Sequence, residues 1–105
     1  MKKLSKYAYL IKHSSYSYNN NYTNLKSDEF SSDIIGVKDV GEAIEVINKL
    51  IDENIELVEL CGGFTEEEEL EIKEKINTAI PIGRAALKPG DILLLKNSLN
   101  KSASH

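Results

Sequence analysis

Five side chains that can take part in acid–base or thiol chemistry stand near the ends of predicted strands: His13, Lys38, Glu59, Cys61 and Arg84. Together they offer an imidazole, a carboxylate, a thiol and two cations, which suffice for proton transfer or nucleophilic catalysis. Because the carboxyl ends of parallel strands meet at one edge of a sheet, we expect these side chains to converge there. Cys61, Glu59 and His13 are the candidate catalytic residues.

Two glycines, Gly62 and Gly63, directly follow a predicted strand and precede a helix that begins after Thr65. Glycine lets the backbone turn sharply or approach a ligand closely. These glycines are therefore candidate ligand-binding positions, together with the cations Lys38 and Arg84, which suit a small organic anion. Four successive glutamates open the helix and oppose a phosphate at its N-terminus, and the G-x-G-x-x-G and P-loop patterns are absent.

Each candidate also has a purely structural interpretation. Cys61 is the only cysteine and can be a small buried hydrophobe. Glu59 can form an ion pair with Lys38 or Arg84, and His13 can be the first residue of a loop. Since His13 and His105 are the only histidines, a metal site would need several carboxylates, and we expect neither a metal site nor a cofactor.

The elements that must position these residues follow from hydrophobic periodicity and capping signals. Two helices and five short apolar strands are predicted: helices at 39–54 and 66–77, strands at 7–11, 33–37, 56–61 and 80–87, and an antiparallel strand at 92–95. The fold class is therefore α/β, with a small, mainly parallel sheet of four to five strands and two crossover helices, in a Rossmann-like or half-barrel-like βαβαβ order.

The segment 13–32 is rich in Ser, Asn and Tyr and has no periodicity, so it is predicted to be a long loop. Tyr16, Tyr18 and Tyr22 could fold over a site as a lid, or the segment could be a variable surface loop. We expect one domain over residues 1–96 and a disordered tail over 97–105.

Composition narrows the classes of partner. The chain has 105 residues and a formal net charge of −4, and no basic stripe with interleaved aromatic residues is present, which argues against nucleic-acid binding. No apolar run is long enough for a signal peptide or a membrane span. These features predict a cytoplasmic protein that binds neither nucleic acid nor membranes.

Three segments resemble a family of small bacterial proteins known as domain of unknown function 6506: Gly36-Val37-Lys38-Asp39, Leu57-Val58-Glu59-Leu60-Cys61-Gly62-Gly63-Phe64 and Ile80-Pro81-Ile82-Gly83. The likeness extends over roughly Tyr7 to Ala86. It implies a single α/β domain with this order of elements. It implies no reaction, because the family has none assigned.

Two functions follow from these observations. The first is binding of a small anionic organic molecule at the C-terminal strand edge, with or without catalysis. The alternative is a homo-oligomeric interaction module without catalytic activity, most simply a dimer. The second helix has few apolar residues with which to cover the sheet, and the run at 92–95 is apolar throughout. Both favour the alternative, because they leave apolar surface that one small sheet cannot cover.

Overall fold

A computed structural model describes residues 2–103, which are built around one five-stranded sheet. The elements in chain order are β1 Lys6–Lys12, β2 Tyr22–Lys26, β3 Ser31–Val37, α1 Val40–Asp52, β4 Leu57–Leu60, α2 Glu66–Lys75, β5 Ile82–Arg84 and α3 Pro89–Ala103. The strand order is β2-β3-β1-β4-β5. Only β2 is antiparallel to its neighbour among these strands. The predicted α/β class with a mainly parallel sheet is confirmed.

Helix α1 forms where local signals predict it. The Asp39 carboxylate accepts a hydrogen bond from the Glu42 amide at 2.9 Å and so satisfies one of the free N–H groups of the first turn. After the helix, Asn54 adopts a left-handed conformation with φ of 67°. Between these ends, apolar residues at helical spacing are buried: Ala43, Val46, Ile47 and Leu50.

Helix α2 begins with a complete capping box. The Thr65 hydroxyl accepts from the Glu68 amide at 3.1 Å, and the Glu68 carboxylate accepts from the Thr65 amide at 2.8 Å. Within the helix only Ile72 is buried, which confirms that most of α2 faces water. Phe64, just before the helix, and Ile76, just after it, add to the same core.

Helices α1 and α2 contact each other and pack on one face of the sheet, here called the covered face. The strand register assigns to it seven side chains that are all buried: Ala8, Leu10, Ile35, Val37, Val58, Leu60 and Ile82. Alternation along each strand turns the intervening residues to the opposite face.

That opposite face, the open face, carries no helix in the part of the chain that the structure describes. Its central residues are half-buried or exposed: Tyr7, Tyr9, Ile11, Thr23, Leu25, Ser32, Ile34, Leu57 and Glu59. The sheet is therefore covered on one side and bare on the other.

The prediction of a structureless loop over 13–32 is wrong, because this segment contains β2. The residues before β2 are also held in place. The ring of Tyr16 packs closely on Gly36. A Cβ atom at position 36 would lie 2.7 Å from the Cδ2 atom of Tyr16. The Tyr18 amide donates to the Glu42 carboxylate at 2.8 Å, and Lys49 donates to the Tyr18 hydroxyl at 2.6 Å. This segment is thus fixed against β3 and α1.

The prediction of an antiparallel strand at 92–95 is also wrong, since these residues lie in α3. Residues 97–103, predicted as a disordered tail, continue the same helix, and His105 lies outside the described residues. The strand predicted over 80–87 is shorter, covering Ile82–Arg84 as β5. Within residues 2–103, no helix is long and apolar enough to cross a membrane.

Candidate functional site

Cys61 lies at the carboxyl edge of the sheet, directly after β4. Its amide donates to the Leu10 carbonyl at 2.9 Å, which continues the pairing of β4 with β1. Its Sγ atom accepts hydrogen bonds from the amides of Lys12 and Gly63, each at 3.3 Å. The residue is 8% exposed. The thiol is therefore enclosed by backbone at the turn that leads into α2.

Two cations lie at this edge, and both are paired with glutamates from α2. Lys12 Nζ lies 2.8 Å from both carboxylate oxygens of Glu68. Arg84 Nε lies 3.4 Å from Glu69 Oε1, and its Nη1 donates to the Phe64 carbonyl at 3.5 Å. The hydrogen bond from Lys12 is the largest cause of a lowered pKa at Glu68. These pairs offset most of the positive charge that would attract an anion.

Lys12 is a residue at this edge that the sequence analysis missed. Its position as the last residue of the first strand, at the same edge as Cys61, was the available signal. Because Lys12 and Glu68 are 56 positions apart in the sequence, only the parallel pairing of β1 and β4 brings them together.

His13 and Lys38 do not join this group. The His13 amide donates to the Val37 carbonyl at 2.9 Å, and its Nδ1 atom lies 2.6 Å from the Ser15 hydroxyl. Both His13 and Lys38 are exposed. Within residues 2–103, no hydrogen bond or ion pair links either of them to Cys61.

Glu59 lies in the middle of β4 on the open face, level with Tyr9 on β1 and Gly83 on β5. Burial, followed by a hydrogen bond with Glu59, raises the pKa of Tyr7 to about 12. Burial also raises the pKa of Tyr9, with smaller contributions from Cys61 and Glu59. The structure thus places Glu59 among tyrosines, away from the edge at which it was expected to meet Lys38 or Arg84.

The open face around these tyrosines forms a shallow depression of about 320 Å³. Its lining is aromatic and aliphatic apart from one serine: Tyr7, Tyr9, Leu25, Ser32 and Ile34. The Phe30 ring stacks on Tyr7, with centroids 6.2 Å apart and planes inclined by 21°. In the sequence, the alternation of large tyrosines with a small alanine in Tyr7-Ala8-Tyr9 was the signal that the two faces of the sheet differ.

A metal centre has no basis in this part of the chain. Among the residues from 2 to 103, no group of three or more His, Cys, Asp or Glu side chains is arranged to hold a metal ion.

Comparison with curated proteins and with solved structures gives no significant match. The model of one protein family, described as a family of unknown function (DUF6506), matches residues 5–100. The match confirms the resemblance carried by the Glu-Leu-Cys-Gly-Gly-Phe segment and its flanking strands. Because the family model covers nearly the whole sequence, the chain belongs to the DUF6506 family.

Proposed function

We propose that the chain acts as a homo-oligomeric interaction module, with the open face of the sheet as its interface. The observation that carries this proposal is the bare face of a mainly parallel sheet. Sheets built from βαβ units are almost always covered on both faces, because their strands carry apolar side chains on both sides. Here α1 and α2 cover one face, and the other still presents Tyr7, Tyr9 and Ile34.

The composition of the open face resembles an interface core more than an ordinary solvated surface. Tyrosine is enriched at protein interfaces because it combines a large apolar ring with a polar tip. Charged residues are depleted in interface cores, and Glu59 is the one ionisable carboxylate that the register assigns to this face. Leu25 adds an apolar side chain that is 63% exposed on the edge strand.

The solution mass tests the proposal directly. Light scattering at high micromolar concentration should give about twice the 11.7 kDa mass of one chain. Leu25→Glu should return the mass to that of a monomer, because it places a charge at the edge of the apolar depression. The side chain is exposed, so the fold should survive.

Leu70→Glu is the matched control. Leu70 is 55% exposed, close to the value for Leu25, but it lies on the solvent side of α2. This variant should keep the oligomeric mass. A monomeric wild type, or loss of the oligomer in both variants, would refute the open face as the interface.

Binding of a small organic anion at the carboxyl edge has less support from the geometry. The observation in its favour is the pair of amides from Lys12 and Gly63 that meet at Cys61 Sγ. Against it, the cations Lys12 and Arg84 are engaged by Glu68 and Glu69. Each glutamate would have to move before its partner could bind an anionic ligand.

Alkylation by iodoacetamide tests that second function. Because Cys61 is 8% exposed, we expect slow labelling of the native protein and rapid labelling in guanidinium chloride. Rapid native labelling, or thermal stabilisation by small dicarboxylic acids, would instead favour a functional site at this edge.

A further inference from the structure

Helix α3 extends away from the rest of the domain. Within residues 2–103 it makes no extensive contact with another helix or strand. Five large apolar side chains of the helix are exposed: Ile92, Leu93, Leu94, Leu95 and Leu99. Among the described residues, apolar surface is therefore uncovered both on the open face of the sheet and on α3.

The apolar residues of α3 include a regular stripe. Ile92, Leu95 and Leu99 follow the i, i+3, i+7 spacing that aligns side chains on one side of a helix. Leu94 lies on a different side, and Lys96 borders the stripe. This pattern is typical of a helix that packs on an apolar surface.

Helix α3 and the central strands of the open face match in length. A helix of 15 residues is about 22 Å long at 1.5 Å per residue. Strands β1 and β3, each of seven residues, are about 23 Å long at 3.3 Å per residue. A helix aligned with these strands would cover the depression from end to end.

The charges also match. The residues that the register assigns to the open face include the carboxylate of Glu59 and no Lys or Arg. On α3, Lys96 borders the apolar stripe next to Ile92, and Asp91 borders it on the other side, next to Leu95. A helix docked through this stripe can place the Lys96 ammonium near Glu59, at the margin of the apolar contact.

The short connection between β5 and α3 favours a second copy as the source of a helix that covers the open face. Ala85 is held by a hydrogen bond to the Leu60 carbonyl at 2.8 Å, and residues 85–88 extend at most about 14 Å. The depression is centred near β3, three strand spacings or about 14 Å from β5, and the helix layer adds roughly 10 Å to the path. A helix of the same chain therefore cannot start over β3 and lie along it, whereas the helix of a second copy can.

We propose that two copies exchange α3, so that the Ile92–Leu95–Leu99 stripe of each copy covers the open face of the other. This inference rests on the proposed homo-oligomeric function and adds which segment fills the interface. Each open face is then incomplete until a partner supplies its helix.

Paired variants of α3 in the full chain test the exchange. Leu95→Asp should raise the dissociation constant of the dimer about a hundredfold or more, because it places a charge in the docked stripe. Leu94→Asp is the control, because Leu94 lies off the stripe on the same helix. Both side chains are exposed, Leu94 at 66% and Leu95 at 48%. Leu94→Asp should leave the dimer intact. Circular dichroism establishes that both variants remain folded.

Mixing two defective variants gives the sharpest result. Leu25→Glu has a damaged face and an intact helix, whereas Leu95→Asp has an intact face and a damaged helix. If α3 is exchanged, the two monomeric variants together should form a mixed dimer with one intact contact, detectable by native mass spectrometry. Two copies of either variant alone have no intact contact.

The outcomes separate the two proposals. Dimers lost in Leu25→Glu but retained in Leu95→Asp would overturn helix exchange and leave the open face as a sheet-to-sheet interface. Failure of the mixed pair to associate would also overturn the exchange. A monomeric wild type would overturn both proposals.

Discussion

The covered face and the open face of the sheet are built by the same strands, yet their side chains differ in kind. On β1, Ala8 and Leu10 are fully buried under the helices, whereas Tyr7 and Tyr9 alternate with them and remain half-buried. The buried side chains that the strands place on the covered side are all aliphatic. The open side mixes tyrosine, leucine, isoleucine and one carboxylate.

This difference distinguishes the face that maintains the fold from the face that is available for function. Burial of aliphatic side chains contributes free energy through the removal of apolar surface from water, and these side chains need no hydrogen-bond partner. They therefore suit a permanent core. Tyrosines around a carboxylate tolerate both water and an apolar partner. A surface of that kind can exist in the free monomer and still be buried on association.

The largest expected effect is on the covered side. Ile47 is fully buried on α1, so Ile47→Ala should lower the free energy of unfolding by about 2–5 kcal/mol. Leu25→Ala on the open face should change it by less than about 0.5 kcal/mol at concentrations where the chain is monomeric. Urea denaturation measures both. Equal losses would break the distinction between the faces.

The ring contact on the open side should contribute less. Phe30→Leu keeps an apolar side chain but removes the stacking on Tyr7. The loss of stability should be about 0.5–1.5 kcal/mol, the range for an aromatic pair beyond its buried area. A loss as large as that of Ile47→Ala would mean that this corner of the open face belongs to the core.

Alkaline pH should affect the open face through Tyr7. Its pKa is raised from 10.0 to about 12 in the folded protein, so the folded state favours the neutral phenol. The resulting stabilisation is fully present below pH 10 and is lost as the pH rises from 10 to about 12. Tyr7→Phe should flatten this part of the stability profile, with a residual slope from Tyr9, Tyr22 and Lys49, whose pKa values are also raised. An unchanged slope would contradict burial of the Tyr7 hydroxyl beside Glu59.

A smaller effect should come from outside both faces. Contacts with Lys2 and with the Ser5 and Lys6 amides lower the pKa of Glu56 from 4.5 to about 2. The stabilisation is present above pH 4.5 and is lost as the pH falls towards 2. Glu56→Gln should remove this acid-side loss, as measured by thermal unfolding across pH.

The control for that measurement is Glu71→Gln. Glu71 forms an exposed pair with Lys75 on α2, at 3.8 Å. Such pairs contribute little, so this variant should keep the acid-side profile of the wild type. A matching change in both variants would mean that the loss is not specific to Glu56.

Local signals explain why much of the fold could be predicted from the sequence. Asp39 and Thr65 cap the two crossover helices as expected, and Asn54 ends the first one in the left-handed conformation. In each case the residues that decide the structure are within four positions of one another. The short apolar strands that follow are then constrained by the rules for βαβ connections.

Strand β2 and helix α3 were not predicted from the sequence, for two different reasons. All five residues of β2 are exposed, and the strand is held by backbone pairing with β3, so it has no apolar pattern to detect. The run Ile92–Leu95 is apolar at every position and fits either a strand or a helix. Pro89 was a signal for the helix, because proline is favoured in the first turn.

The positions of the candidate site residues were also predicted only in part. Cys61 and Arg84 do lie at the carboxyl edge, as the parallel sheet requires. Glu59 does not, because alternation places it on the open face two residues before the edge. On β4, Val58 and Leu60 face the helices, and Leu57 and Glu59 lie on the open side.

The two edges of the sheet determine what form an assembly can take. Strand β5 has only three residues, and Pro81 directly before it has no amide hydrogen to offer an incoming strand. At the other edge, β2 is short and fully exposed, and it ends in Lys26. Edges of this kind discourage the addition of further strands. The proposed association uses the open face instead, and that face is used up when two copies meet, so it would give closed pairs and not fibrils.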